Sequence, residues 1–237
     1  MASRTPAAED VCAKPKRVAF RTLGCRLNQA ETARMASTFL QAGYVVVPFG
    51  EPCDVCVVHS CAVTGSAETE SLHVARSVRR RGLANRVVLA GCVAEVAAAD
   101  PMYDSGIDLV VGQKDKMRIP ALLHTHPPTD KTRIEPYFET TSAILKVQDG
   151  CDFFCAYCIV PYARGPATSR PFREVLDEAA RFAGSGFKEL VLAGANLGAY
   201  RDGNRTILHL LEAIEALDTV ERVRISSIEM STVEYAL

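Results

Sequence analysis

Ala143-Ile-Leu-Lys-Val-Gln-Asp-Gly-Cys151-Asp-Phe-Phe-Cys155-Ala-Tyr-Cys158 is an apolar strand-like run, residues 143–148, followed at once by a glycine and three cysteines. That order sets the cysteines at the carboxyl end of a strand, where (βα) folds keep their reactive groups. Three thiolates within eight residues can hold three irons of a 4Fe–4S cluster and leave the fourth iron without a protein ligand. A cluster that only carries electrons is normally closed by four cysteines, so an open iron is a place for a substrate or cofactor. The competing reading is a structural zinc site, which needs four closed ligands, commonly as two C-x2-C pairs. The stretch offers one such pair, and no histidine follows within thirty residues of Cys158. Phe153, Phe154 and Tyr157 give the loop an apolar shell that suits an iron–sulfur cluster better than zinc.

Outward from the loop, strands and helices alternate. Downstream, the patterns predict a helix over 172–185, a strand over 189–193, a helix over 207–217 and a strand over 222–228. Upstream, they predict strands at 17–22, 44–48, 54–59, 86–90 and 109–111. Helices are expected at 29–42, with Ala33, Met35, Ala36, Phe39 and Leu40 as apolar positions and Gly43 as the stop, at 67–81, in a shorter piece before 109, and at 114–124. Such alternation implies an α/β fold with parallel sheets covered by helices. Residues 125–131, with Pro127 and Pro128, read as a linker. The expected organisation is a parallel-sheet, flavodoxin- or Rossmann-like domain over 15–127 and a (βα) partial barrel over 128–237.

At 237 residues, 48% hydrophobic and 23% charged, the chain has the composition of a soluble globular protein with one large or two medium domains. Residues 1–16 are polar and alanine-rich with no apolar h-region, and no run of about eighteen apolar residues occurs, so a cytoplasmic protein without a membrane partner is expected. Nine cysteines, an odd number, then read as metal ligands or buried thiols rather than disulfides. A net charge of −1 excludes a globally basic nucleic-acid binder. Arg76, Arg79, Arg80 and Arg81 could form a local basic patch on one helix side; the same pattern also describes a solvated helix end that complements the dipole.

Three further cysteines occupy equivalent slots. Cys25 follows Gly24 after the first strand, Cys61 follows Ser60 after the 54–59 strand, and Cys92 follows Gly91 after the 86–90 strand. In a parallel sheet these positions share one edge, which makes a second three-cysteine site with one iron open. Cys12 falls in the tail. Cys53-Asp-Val-Cys56 has redox-motif spacing, but Cys56 sits within Val55-Cys-Val-Val58 and reads as a buried strand residue.

Thr22-Leu-Gly-Cys-Arg-Leu-Asn-Gln-Ala-Glu-Thr32, His59-Ser-Cys-Ala-Val-Thr64, Gly91-Cys92, Ala143 to Cys158, Ala163-Arg-Gly165 and Arg224-Ile-Ser-Ser-Ile-Glu229 together resemble the methylthiotransferases of the radical S-adenosylmethionine (SAM) superfamily, over about residues 17 to 237. The Leu-Gly-Cys-Arg-Leu-Asn and Glu-Thr pattern is most similar to the branch that methylthiolates N6-threonylcarbamoyladenosine at position 37 of tRNA. The resemblance implies that Cys151, Cys155 and Cys158 hold the cluster at which SAM is cleaved to a 5′-deoxyadenosyl radical. It implies that Cys25, Cys61 and Cys92 hold an auxiliary cluster carrying the sulfur. Removing hydrogen from C2 of an adenine is beyond a general base, so the cofactors would do the hard chemistry and the protein the placement. Tyr157, Asn196, Arg164 and Arg170 are implied as cofactor-binding. The implied partners are tRNA, an electron donor such as flavodoxin or ferredoxin, and a sulfur source; a ribosomal-protein or other adenosine substrate, or a non-catalytic cluster-binding module, are the alternatives. His59 stands where the family usually has Asn, and Thr168 where it often has a basic residue. The family's barrel has six strands, of which about three precede Leu237, so a radical SAM domain incomplete at its carboxyl end is expected, with an exposed strand edge near Ile225.

Overall fold

The computed structural model describes residues 15–96, 106–123 and 142–233. In chain order the first part comprises β1 (Arg17–Thr22), α1 (Arg26–Gln41), β2 (Val45–Val47), β3 (Cys53–Ser60), α2 (Gly65–Arg80), β4 (Ala84–Gly91), α3 (Cys92–Val96), β5 (Leu109–Val111) and, after a 3₁₀ turn at Lys116–Arg118, α4 (Ile119–Leu122). Its five strands are parallel in the order β2-β1-β3-β4-β5, the doubly wound order whose chain direction reverses between β1 and β3. β3 is buried along nearly its whole length because helices cover both faces. Met35 and Phe39 of α1 pack on Val18, Phe20, Val55 and Val57. Leu72, Ala75 and Val78 of α2 pack on Ala19, Cys56, Val58 and Leu89 from the other side. Phe39 meets Phe20 and Tyr44 edge-on, with centroids 5.5 and 5.0 Å away.

The second part comprises β6 (Ser142–Lys146), β7 (Gln148–Asp149), α5 (Val160–Arg164), β8 (Thr168–Ser169), α6 (Phe172–Gly184), β9 (Glu189–Ala193), β10 (Arg201–Asp202), β11 (Arg205–Thr206), α7 (Ile207–Glu215) and β12 (Arg222–Ile225). The main sheet is parallel in the order β12-β9-β6, and two short antiparallel ladders, β7 with β8 and β10 with β11, sit beside it. Leu145, Leu190 and Leu192 face Val175 and Ala179 of α6 and Ile207, Leu210 and Ile214 of α7. The opposite face, on which the register sets Ile144 and Arg224 either side of Val191, lines a cleft of about 1510 Å³ shared with Cys25 and the start of α1.

Three element boundaries differ instructively from expectation. The single helix expected over 114–124 is a 3₁₀ turn followed by a new short helix with Pro120 near its start: proline cannot sit inside a continuous helix but suits a first turn. β12 ends at Ile225 rather than 228, because Ser227 turns to accept Leu197 N through its carbonyl. The strand expected over 143–148 is β6 followed by the separate β7, with Val147 between them. The expected linker and Cys12 lie outside the described residues. Among the described residues no helix is long and apolar enough to cross a membrane.

Candidate functional site

The loop from Cys151 to Cys158 is shaped by what precedes it. Gly150 adopts φ +67°, and a Cβ there would lie 2.1 Å from the Pro166 carbonyl oxygen, so only glycine lets the two backbones pass. Gln148, fully buried, uses every bonding site of its amide: Nε2 donates to the carbonyls of Asp149 (2.8 Å) and Gly150 (2.7 Å), and Oε1 accepts from Ala195 N (2.8 Å) and Asn196 N (3.0 Å). The cysteine loop is thereby tied to the loop after β9. Cys151 N donates to Gly165 O and Cys158 N to Cys155 O. Phe154 takes a left-handed conformation, φ 46°, held by an edge-on contact with Tyr162, the kind of backbone strain that collects at functional loops. All three thiols are partly exposed. Tyr157 is 90% exposed, and the neighbouring Cys155, to which it is hydrogen-bonded, pushes its phenol up.

Cys25, Cys61 and Cys92 stand at the carboxyl ends of β1, β3 and β4, three adjacent parallel strands. Cys25 caps α1 and is exposed, whereas Cys61 and Cys92 are each 3% exposed. Gly24, φ +90°, lies so close to Cys61 that an added Cβ would be 2.5 Å from its Sγ. The Cys92 thiol is pushed up by burial, opposed by Arg164 and reinforced by Cys61. Among the described residues no three His, Cys, Asp or Glu side chains converge as one bound ion requires. A four-iron cluster, unlike a single ion, holds its cysteines on separate irons. His59, beside Cys61 in sequence, is fully buried: Nδ1 contacts Thr32 Oγ1 (2.9 Å) and Asn28 O (3.1 Å), and burial followed by Lys116 lowers its pKa to about 3, so the ring is neutral.

Between the two cysteine groups lies a buried charge cluster. Glu31 of α1, with no exposed side-chain surface, is 2.6 Å from Lys116 Nζ, 2.5 Å from Lys146 Nζ and 3.3 Å from Arg164. Asp149 also pairs with Lys146 (2.6 Å) and Arg164 (2.8 Å). Arg164 further donates to Asn28 Oδ1 (2.5 Å), and Asn28 Nδ2 donates to the Leu23 and Ser60 carbonyls beside Cys25 and Cys61. Burial raises the Glu31 carboxyl, but Lys116, Arg164 and Lys146 outweigh it and hold it well below the usual carboxylate range. Three cations against two carboxylates leave one net positive charge, and Arg164 and Lys116 favour the thiolate form of the adjoining Cys92 against the effect of burial.

The other residues named from sequence fall in two groups. Arg164 lines the cleft and is committed to Glu31, Asp149 and Asn28; Arg170 donates to Lys146 O (2.7 Å) and pairs with Glu178 at 2.6 Å. Asn196 Oδ1 accepts from Glu229 N and Thr232 Oγ1, both at 3.1 Å, while its buried Nδ2 has no partner among the described residues. Arg79 is committed to Asp108 and the Gly106 carbonyl, so it belongs to the fold rather than to a free basic patch. Cys53 and Cys56 are buried in β3, and burial lifts the Cys56 thiol to about 12, away from redox reactivity. Sequence reading assigned no role to Gln113, Lys116, Lys146 or Gln148; a polar residue inside an otherwise apolar run, as at Lys146 and Gln148, was the available signal.

Residues 17–112 match the uncharacterized protein family UPF0004, and residues 145–236 match the radical SAM superfamily. The threonylcarbamoyladenosine tRNA methylthiotransferase of Chlamydia pneumoniae is 37% identical over 212 residues, covering 87% of this chain and 50% of that protein. The enzyme of the same name from Bacillus subtilis is 32% identical, covering 91% and 52%. The tRNA-2-methylthio-N(6)-dimethylallyladenosine synthase of Roseobacter denitrificans is 33% identical, covering 90% and 54%. The chain thus spans about half the length of the curated relatives it matches. A solved radical SAM methyltransferase of Kitasatospora setae, with tryptophan and a SAM analogue bound, superposes with a TM-score of 0.56 at 11% identity over 85% of this chain and 50% of that one, which is a likeness of fold.

Proposed function

Because the chain belongs to the radical SAM methylthiotransferase family, with a UPF0004 region ahead of its radical SAM region, we propose that it serves the methylthiolation of tRNA, converting N6-threonylcarbamoyladenosine at position 37 to its 2-methylthio derivative. The observation that carries this reading is two three-cysteine groups, each at strand carboxyl ends, on either side of one buried cationic seam. Cys151, Cys155 and Cys158 would hold one 4Fe–4S cluster, and Cys25, Cys61 and Cys92 a second. When bound, the clusters and SAM supply the one-electron chemistry that an unactivated aromatic C–H demands.

The protein's own part is placement. Gln148 fixes the cysteine loop against the 194–196 loop, whose Asn196 Nδ2 is a buried donor ready for a polar ligand such as SAM. Tyr157, exposed and hydrogen-bonded to Cys155, is free to meet a ligand there, while Arg164 is anchored by Asp149 and Arg170 by Glu178. The strand face of Ile144 and Val191, with Arg224 beside them, offers a planar base an apolar floor and one cation, and the cleft reaches Cys25. A tRNA partner, an external electron donor, a sulfur source and a cytoplasmic setting belong to this proposal, as does the division into domains at 15–127 and 128–237.

The preference for threonylcarbamoyladenosine rests on the relatives of that name; relatives named for dimethylallyladenosine match at comparable identity. Mass spectrometry of tRNA nucleosides from cells with and without the gene tests the choice. Loss of 2-methylthio-N6-threonylcarbamoyladenosine supports the proposal, loss of the dimethylallyl derivative transfers it to that substrate, and no change in either overturns it.

A further inference from the structure

Gln113 is held at three points. Its backbone N–H donates to Glu95 Oε2 (2.7 Å) on α3, the helix that Cys92 begins. Its Oε1 accepts from Lys116 Nζ, and its Nε2 donates to Cys92 Sγ at 3.2 Å. An ammonium has no acceptor, so the Lys116 contact dictates which end of the amide is oxygen and thereby turns the NH2 toward the sulfur. Lys116 is in turn fixed by Glu31 at 2.6 Å, with its side chain only 4% exposed. Gly112 completes the device: a Cβ there would lie 2.2 Å from Glu95 Oε2, so a side chain at 112 would push the Gln113 backbone off its carboxylate.

We propose that Gln113 is a positioning residue that sets the reduction potential of the cluster on Cys25, Cys61 and Cys92 by donating a hydrogen bond to Cys92 Sγ, oriented through Lys116 and Glu31. This rests on the two-cluster reading. A hydrogen bond to a ligating thiolate draws electron density from the cluster and stabilises the reduced state, so losing it moves the potential negative. Removing Lys116 should act in the same direction, because it frees the amide to turn and takes away a nearby positive charge.

The test uses the full chain carrying Cys151→Ala, Cys155→Ala and Cys158→Ala, reconstituted anaerobically so that only the second cluster is present. Iron content is measured first, then a redox titration followed by electron paramagnetic resonance compares Gln113 with Gln113→Met, which keeps the volume and lacks the donor. The expected result is about four irons in both and a midpoint shifted negative in Gln113→Met. Equal iron with an unchanged midpoint overturns the inference and leaves the two-cluster reading standing. No iron in the parent overturns the two-cluster reading itself. Should Gln113→Met alone lose iron, Gln113→Asn, whose shorter amide cannot reach Cys92 Sγ and which leaves the Lys116 charge in place, decides: a negative shift supports the inference and an unmoved midpoint overturns it.

Discussion

Replacing Glu31 by Gln removes the one carboxylate that touches all three buried cations. Arg164 and Lys146 keep Asp149, at 2.8 and 2.6 Å, but Lys116 is left with Gln113 and no counter-charge, its side chain 4% exposed. Breaking a buried pair by deleting one partner costs about 3–5 kcal/mol, because the survivor stays desolvated and unpaired. Lys116→Met is the informative reverse: Glu31 keeps two cations, the cluster's net charge falls from one positive to zero, and the cost should be about 1 kcal/mol or less. With a urea slope of about 2 kcal/mol per molar, Glu31→Gln should lower the unfolding midpoint by roughly 2 M and Lys116→Met by under about 0.5 M. The chain has no tryptophan, so circular dichroism and tyrosine fluorescence are the probes. Equal shifts in the two variants, or a Glu31→Gln shift below about 0.5 M, would refute the reasoning that the carboxylate is the indispensable member.

The same carboxylate has a pH signature. Its folded pKa lies well below the unfolded value of about 4.3, so its contribution is complete above that pH and is lost as pH falls through the folded value; the acid limb of the stability curve should flatten in Glu31→Gln. Gly150→Ala puts a Cβ 2.1 Å from the Pro166 carbonyl oxygen at positive φ, so it should lower iron retention at Cys151, Cys155 and Cys158 in reconstituted protein while leaving the iron of the other trio intact. Tyr200→Phe deletes a 3.0 Å hydrogen bond from a fully buried ring to the Arg170 carbonyl and should cost about 1 kcal/mol in thermal or chemical unfolding.

The period of the apolar residues made the strands legible: β1, β5 and β9 have the expected bounds, and parallel pairing follows from the alternation with helices. The shared sheet edge of Cys25, Cys61 and Cys92 was legible too, because residues that follow adjacent parallel strands lie at one end of the sheet. The charge seam was not. Glu31, Lys116, Lys146 and Arg164 are distant in sequence, each of a type that ordinarily faces water, and only the packing of α1 onto β6 and α5 brings them together. Arg164 and Arg170 illustrate the same limit: sequence left cofactor contact and ion pair equally open, and the partners, Glu31, Asp149 and Glu178, are set by tertiary position. Gln113 escaped because one amide in a loop carries no pattern.

The seam also sets an order of events during folding. Glu31 lies 115 residues from Lys146 and 133 from Arg164 along the chain. Contacts of such separation form only after the entropy of closing the intervening loop has been met, whereas each parallel sheet assembles from nearer neighbours. Until the two halves dock, Glu31 has only Lys116 of its own half as a counter-charge and Arg164 only Asp149, and docking is the moment at which their remaining water is stripped away. The slowest native step should therefore be the mutual dehydration of α1 and the β6–α5 segment, and a refolding phase sensitive to substitution at Glu31 but not at Phe39 would mark it.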